Sequence, residues 1–395
     1  MKNLFEISNK ESKNVIGLMS GTSLDGVDVA LVNIEGSGTF TKLNLIGFLE
    51  YPFPKDLKSC VLKNSVKETS NVEDISQLNF LLPEIYFEAV KTLCKDINFD
   101  MEKIDLIGSH GQTIQHLPKP TEYFNYSIAS TLQIGDPAVL AKLSGIVTVG
   151  DFRTGDIALG GEGAPLVPYF DYIMFHSHHK NRALLNIGGI SNFTILNKEK
   201  GMKDVLAFDT GPGNMMIDTL TKKLFNKEFD KGGNIARSGK LNSELYEALK
   251  LQDNYIDTKP PKSTGREYYG ENFIAPLQNK FSDIKKEDWL YTVTKFTAYG
   301  IYRNYKLFVK DETEINELII SGGGAKNKFL YECLRTEFGK NVDIKIIDDI
   351  GVSSDAKEAI CFAVLANETI SGNPANIPRT TGASRPTVLG KICLP

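Results

Sequence analysis

The chain has 395 residues, 41% hydrophobic and 24% charged, the balance of an ordinary globular protein with length for two domains with full-sized cores. Its formal net charge of −4 supplies no global field to recruit nucleic acid or an anionic membrane, so the expected partner is a small molecule. No run of about eighteen apolar residues occurs, the amino terminus MKNLFEISNKESKN has no apolar core of signal-peptide length, and the expected location is cytoplasmic. Five scattered cysteines, Cys60, Cys94, Cys333, Cys361 and Cys393, form no CxxC pair and read as small core residues.

In chain order, Val15 to Met19 is a short apolar strand pattern, Ser20 to Gly26 (SGTSLDG) a polar glycine turn, and Val27 to Ile34 an alternating second strand. Apolar residues from Ile75 to Ile97 follow helical spacing behind Asn71 as cap, with a kink or break predicted at Pro83. Ile104 to Ile107 reads as a buried strand running into Gly108-Ser109-His110-Gly111-Gln112-Thr113. His110 there is either a ligand contact or a hydrogen-bonded structural histidine. Asp136-Pro137 is a cap followed by proline at the first helical position, with Gly145 as the stop. Ile146 to Val149 is a strand that delivers Asp151-Phe152-Arg153 to a loop, Gly155 to Pro165, that its glycines make mobile or tightly turned. Arg153 is the side chain of interest in that segment. His176, His178 and His179 fall in a polar joint without metal-ligand spacing to a cysteine or carboxylate, and the joint reads as a solvated loop and a domain boundary.

Ala183 to Ile187 and Phe193 to Leu196 read as strands joined by the Gly188-Gly189 turn, whose backbone amides can close on an anion. A further apolar run, Val205 to Phe208, ends in Asp209, and Gly211-Pro212-Gly213 then opens a helical pattern at Met215, Met216, Leu220 and Leu224. Asp209 thus stands at the carboxyl end of a buried strand, where open α/β sheets bind ligands, or else caps the next turn. The strand, glycine turn, strand layout occurs twice, about half a chain apart, which suggests duplicated domains. Lys231 to Lys240 (KGGNIARSGK) is not a P-loop, because five residues separate Gly233 from Gly239 and Leu241 stands in place of Ser or Thr. Pro260 to Glu267 is too polar for core and reads as a ligand loop or an exposed crossing, whereas Trp289 to Val309 reads as a core helix. Leu318 to Ile320 enters Ser321-Gly322-Gly323-Gly324-Ala325 ahead of a helix, a third turn suited to an anion. On a helix expected over Asp355 to Ile370, Glu358 shares a face with Cys361, Phe362 and Leu365. A carboxylate so placed is either half exposed at the helix start, helped by the macrodipole, or turned into a ligand cavity.

Taken together, these segments resemble the anhydro-N-acetylmuramic acid kinase family of the actin, Hsp70 and sugar-kinase superfamily. The matching stretches are GLMSGTSLDGVD (Gly17 to Asp28), IGSHGQT (Ile107 to Thr113), QIGDPAVLA (Gln133 to Ala141), DFR (Asp151 to Arg153) and GGEGAPLVP (Gly160 to Pro168). NIGGISN (Asn186 to Asn192), FDTGPGN (Phe208 to Asn214), PKSTGRE (Pro261 to Glu267) and SGGGAKN (Ser321 to Asn327) complete a set that covers nearly the whole chain in family order.

The resemblance implies an α/β, two-domain actin-like ATPase fold, ribonuclease H-like and duplicated, with ATP in a cleft between domains and a hinge that closes. The expected division is 1–180 plus 375–395 for the amino-terminal domain, with the phosphate turn and part of the sugar site, and 181–374 for the carboxyl-terminal domain, with the catalytic aspartate and nucleotide site. Nucleotide contacts are implied at Gly21, Thr22, Ser23, Asp25, Gly26, Asp28, Gly188, Gly189, Gly211, Gly213, Gly322 and Gly323. Sugar contacts are implied at Ser20, Asp25, Arg153 and Glu358. Asp209 matches the family's catalytic base and Glu358 the helix carboxylate that contacts sugar and water. The implied reaction opens the 1,6-anhydro bond by hydrolysis while O6 is phosphorylated, giving N-acetylmuramic acid 6-phosphate and ADP in cell-wall amino sugar recycling. ATP is the co-substrate, with Mg2+ held mainly by its phosphates and water, and a homodimer is common in the family. The competing readings are a levoglucosan kinase of the same fold and a non-sugar actin-like ATPase.

Overall fold

The computed structural model describes residues 4–21 and 24–395, which fall into two compact units, 1–174 joined by 355–395, and 175–354. In the first unit β1 (Ser12–Ser20) and β2 (Gly26–Glu35) run antiparallel with Leu18 opposite Val29, and β3 (Lys42–Pro52) continues the meander. On the other side of β1 lie β4 (Leu106–Tyr123) and β6 (Thr148–Gly150), both parallel to it, while β5 (Tyr126–Ile134) folds back along β4 and the terminal strand Lys391–Cys393 closes the edge beside β6. Val15, Ile16, Leu18, Val29, Leu31 and Val32 are buried, as central strands covered on both faces require.

The helix Val72–Asp96 packs against this sheet through Leu78, Leu82, Tyr86, Val90 and Leu93, and Asn71 caps it by accepting from the Glu73 amide. It runs unbroken through Pro83, contrary to a break there. The carbonyl that Pro83 cannot serve, that of Asn79, accepts instead from the Asp136 amide at 3.0 Å, so the backbone group is satisfied from outside the helix.

The helix Lys357–Ser371 packs on β1, β2 and β4. Its close approach depends on two glycines: a Cβ at Gly17 would stand 1.8 Å from the Ala359 carbonyl oxygen, and one at Gly108 would stand 2.1 Å from that of Phe362. This corrects the expected division, because the chain rejoins the first unit at residue 355 rather than 375, and the helix with Glu358 goes with it.

In the second unit β7 (Arg182–Ile187), β8 (Ile190–Leu196) and β9 (Leu206–Pro212) form an antiparallel meander, and β10 (Glu317–Ser321) and β11 (Asp343–Ile346) run parallel to β7 beyond it. The order β9-β8-β7-β10-β11 repeats β3-β2-β1-β4-β6 with the same strand directions. The duplicated α/β fold expected from the two glycine hairpins is therefore present in the topology. Trp289, Val293, Phe296 and Ile301 of the helix Lys286–Phe308 are the center of this unit's core. Two local expectations shift: Asp209 lies within β9 opposite Asn192 rather than at the strand's end, and β4 runs on far past the strand pattern expected over Ile104 to Ile107. Among the described residues no helix is long and apolar enough to cross a membrane. All five cysteines are free, with Cys94, Cys333 and Cys361 buried.

Candidate functional site

The first unit has a cavity of about 720 Å3 lined by Gly21, Asp25, Gly26, Asp28, Glu50, Tyr51, Pro52 and Glu358. It forms where β1 turns into β2, the end of β3 passes alongside, and the helix Lys357–Ser371 begins. Five of the expected site residues, Gly21, Asp25, Gly26, Asp28 and Glu358, are thus brought together. Thr22 and Ser23 lie outside the described residues. Ser20 is buried beside this turn, its hydroxyl 2.5 Å from Gln112 Oε1 and 3.2 Å from the Gly26 carbonyl oxygen. That hydroxyl holds the turn in shape. Asp25 is exposed and pairs with Lys58 at 2.7 Å.

Glu358 meets both descriptions left open by the sequence, standing in the first helical turn and also lining the cavity. Its side chain is reached by solvent from within the concavity yet is crowded by protein, and this desolvation raises its pKa against the opposing pull of Lys357 and Arg153. Neighboring Lys357 is buried and paired with Asp171 at 2.7 Å, which fixes the start of the helix. Asp28 is pushed up to about 7 by burial and then by the like charges of Glu50, Glu358 and Asp355. Glu50, Tyr51 and Pro52 are lining residues that the sequence did not reveal. The apolar run from Leu45 to Leu49 was the available sign of the strand that carries them.

Arg153 is held by His110 and a loop carbonyl. Its Nε and Nη2 lie 3.1 and 2.9 Å from His110 Nε2, and its Nη1 donates to the Gly163 carbonyl at 2.7 Å. His110 Nδ1 lies 2.8 Å from the Gly111 carbonyl oxygen, so the ring donates there and accepts from Arg153 in its neutral form. Burial, with the Arg153 charge beside it, pushes His110 down to about 3, in keeping with that role. The loop after Arg153 is tightly turned around buried Asp156, which accepts from the Gly163 amide at 2.8 Å, Thr381 Oγ1 at 2.7 Å and Asn376 Nδ2 at 2.6 Å.

In the second unit, Asp209 Oδ2 accepts from the Thr264 amide at 2.9 Å, and the Asp209 amide donates to the Lys262 carbonyl at 3.3 Å. Asp209 therefore does not cap the turn that follows it. No hydrogen bond to its Oδ1 is made among the described residues. Burial pushes its pKa up to about 6, while the Thr264 amide and the Lys262 charge pull the other way. The Pro260 to Glu267 segment is accordingly a strap across the aspartate, a contact that its polar sequence did not disclose.

The glycines divide by their surroundings. The carbonyls of Gly188 and Gly189 accept from the amides of Gly213, Asn214 and Met215, at 2.8 to 3.1 Å, so this turn is bound to the start of the helix Met215–Phe225. A Cβ at Gly188 or Gly323 would meet nothing nearer than 3.6 or 3.7 Å. With neither at positive φ, the protein's own packing does not demand glycine there, and the small residue leaves room for a ligand against the backbone. Gly211 is different: with φ +125° and a Cβ position 3.2 Å from the Tyr269 hydroxyl, its conformation and packing account for it. Gly322, at φ +79° beside Asn186 and Ile187, is likewise explained by the turn.

The family model described as anhydro-N-acetylmuramic acid kinase matches residues 13–395. A protein of that name from Caldanaerobacter subterraneus subsp. tengcongensis is 47% identical over 398 residues, covering 100% of both chains. Another of that name, from Bacillus cereus strain 03BB102, is 49% identical over 382 residues, covering 96% of this chain and 99% of its own. Among solved structures, an activator of 2-hydroxyisocaproyl-CoA dehydratase from Clostridium difficile with bound ADPNP aligns with a TM-score of 0.42 at 12% identity, covering 91% of this chain and 96% of that one.

Proposed function

Because the chain belongs to the anhydro-N-acetylmuramic acid kinase family, we propose that it opens 1,6-anhydro-N-acetylmuramic acid with water and phosphorylates O6 from ATP. The observation that carries the mechanism is the state of Asp209. One carboxylate oxygen is held by the Thr264 amide, the other has no hydrogen-bond partner among the described residues, and its pKa stands at about 6. A carboxylate with that pKa is ionized at neutral pH and still basic enough to accept a proton in a transition state.

Water attacks C1 and gives a proton to Asp209. The C1–O6 bond breaks, O6 bonds to the γ-phosphorus, and ADP leaves. Since O6 departs toward phosphorus, the reaction does not need the second carboxyl that ordinarily protonates a glycosidic leaving group. Glu358 positions sugar and water, consistent with its place in the cavity of the first unit. Arg153, fixed by His110 and Gly163, supplies a cation for the lactyl carboxylate, a group that levoglucosan lacks. Gly188 and Gly323 leave backbone open to the nucleotide. ATP as donor also fits a cytoplasmic reaction.

Among the described residues no group of three or more His, Cys, Asp or Glu could hold a metal ion. A protein-only cage is therefore not offered, but Mg2+ commonly takes one or two carboxylates and completes its shell with phosphates and water. Asp28 fits that part, since a cation would relieve the crowding of acids that raises its pKa. When bound, the ion neutralizes charge on the phosphates.

The test is product analysis by mass spectrometry after incubation with Mg-ATP and either anhydrosugar in 18O-labeled water. The expected outcome is N-acetylmuramic acid 6-phosphate with label at C1, formed far faster than any product from levoglucosan. An unlabeled phosphosugar with its anhydro ring intact would overturn the hydrolytic step, and preference for levoglucosan would overturn the substrate.

A further inference from the structure

We infer that Lys262 is a positioning residue for the general base, fixing the strap that orients Asp209 and placing a positive charge on the aspartate's side of the aromatic box. This rests on the role proposed for Asp209, and it adds a second residue to that chemistry. Lys262 Nζ donates to the carbonyls of Tyr255, at 3.2 Å, and Ile256, at 2.9 Å. It also lies over the rings of Tyr255, Phe308 and Phe208, at 4.7, 5.1 and 5.9 Å from their centroids. An ammonium enclosed by carbonyls and ring faces is bound by charge as well as by packing. The same residue's carbonyl accepts from the Asp209 amide, and two residues on, the Thr264 amide reaches Asp209 Oδ2. Tyr255 closes the circuit, because its hydroxyl donates to the Asp209 carbonyl at 3.3 Å.

The strap is thus tied to the aspartate through its backbone and to the aromatic box through one side chain. A half-buried lysine is an expensive anchor if packing is its whole purpose, since methionine would fill the box without loss of hydration. What the ammonium adds is a field on Asp209 that opposes desolvation. Other charges facing the two groups are accounted for. Asp253 and Asp257 act on Lys262 together with Asp209, Asp257 is paired with Arg303 at 2.9 Å, and Glu267 pushes the Asp209 pKa up. Burial lowers Lys262 to about 8 against those three acids, so the cation persists at neutral pH.

The experiment compares Lys262→Met, Lys262→Arg and Asp209→Asn with the parent protein, following kcat, both KM values and the acidic limb of the pH profile. Lys262→Met should lower kcat at pH 7 by roughly tenfold with little change in KM for ATP, and should move the acidic limb up by about half a unit to one unit. Lys262→Arg should leave the limb in place because the charge remains. A purely structural lysine would lower the thermal midpoint of Lys262→Met and leave its acidic limb where it was, and that result overturns the inference. Should Lys262→Met not fold, Lys262→Gln, which keeps a side-chain donor without the charge, is followed in its place, and an unmoved limb there overturns it equally. Asp209→Asn separates the two readings. If it retains activity, the assignment of the base has failed; if it is inactive while Lys262→Met titrates like the parent, only the role of Lys262 has failed.

Discussion

The surroundings of Asp209 and Glu358 differ in what holds the carboxylate. Asp209 sits within a strand, one oxygen on a backbone amide and a lysine in its field, and has a definite orientation before any ligand arrives. Glu358 stands at the start of a helix, among Asp28, Glu50 and Asp355, with Arg153 and Lys357 as the opposing charges. The first setting suits proton transfer, which depends on direction and basicity. The second suits a group whose partners come with the substrate. Two carboxylates raised by the same cause, desolvation, therefore differ in the work their settings favor.

The sharpest way to break this comparison is Asp209→Asn. The amide keeps the volume and can still accept from Thr264, but it takes no proton, so kcat should fall by about 10²-fold or more while ATP and sugar still bind. The sign of the stability change follows from the pKa. With Asp209 at about 6 in the folded protein against 3.8 as its model value, the folded state holds its proton more tightly, and stability declines as pH rises between those values. Replacing the buried charge should therefore leave the thermal midpoint at pH 7 unchanged or raised. Near-normal turnover in a folded Asp209→Asn protein would end the proposed mechanism.

Glu358→Gln is the next largest effect, and it sharpens the contrast. A positioning carboxylate should cost roughly tenfold in turnover with a marked rise in KM for the sugar, whereas KM for ATP stays close to the parent. Steady-state kinetics with each substrate varied in turn will distinguish the two. A loss confined to kcat and as large as that of Asp209→Asn would place Glu358 in proton transfer as well.

What the sequence disclosed follows the range of the interactions involved. The hairpins at Ser20 to Gly26 and Gly188-Gly189 and the caps at Asn71 and Asp136 were legible because each is decided within a few residues. β4 was not: Gly108, Gly111, Pro118 and Pro120 are breakers by local rules, and pairing with β1 and β5 overrides them. That the helix continues past Pro83 was hidden for a similar reason, since the partner of the Asn79 carbonyl is Asp136, far along the chain. Asp209 and Glu358 could each be singled out as candidates within their own unit, but the Thr264 amide and the His110 to Arg153 contact could not. Those contacts join segments that no spacing rule connects.

The smallest expected effect concerns Asp28, where crowding by acids can be read directly as stability. Its pKa stands at about 7 in the folded protein against 3.8 as its model value. A folded-state pKa above the unfolded one means that the folded protein binds more protons between those limits, so the stabilization is full below about pH 4 and lost as pH climbs toward 7. Asp28 is half-buried, and solvent screening reduces the contribution to roughly 1–2 kcal/mol. Asp28→Asn removes the titration, so the thermal midpoint of the free protein should fall less between pH 5 and 8 in the variant than in the parent. Added Mg2+ should then raise the parent's midpoint more at pH 8 than at pH 5, because the cation competes with the proton for the same oxygens, and it should do little for Asp28→Asn. Equal responses to Mg2+ in the two proteins would show that Asp28 does not hold the ion, leaving the phosphates and water as its ligands.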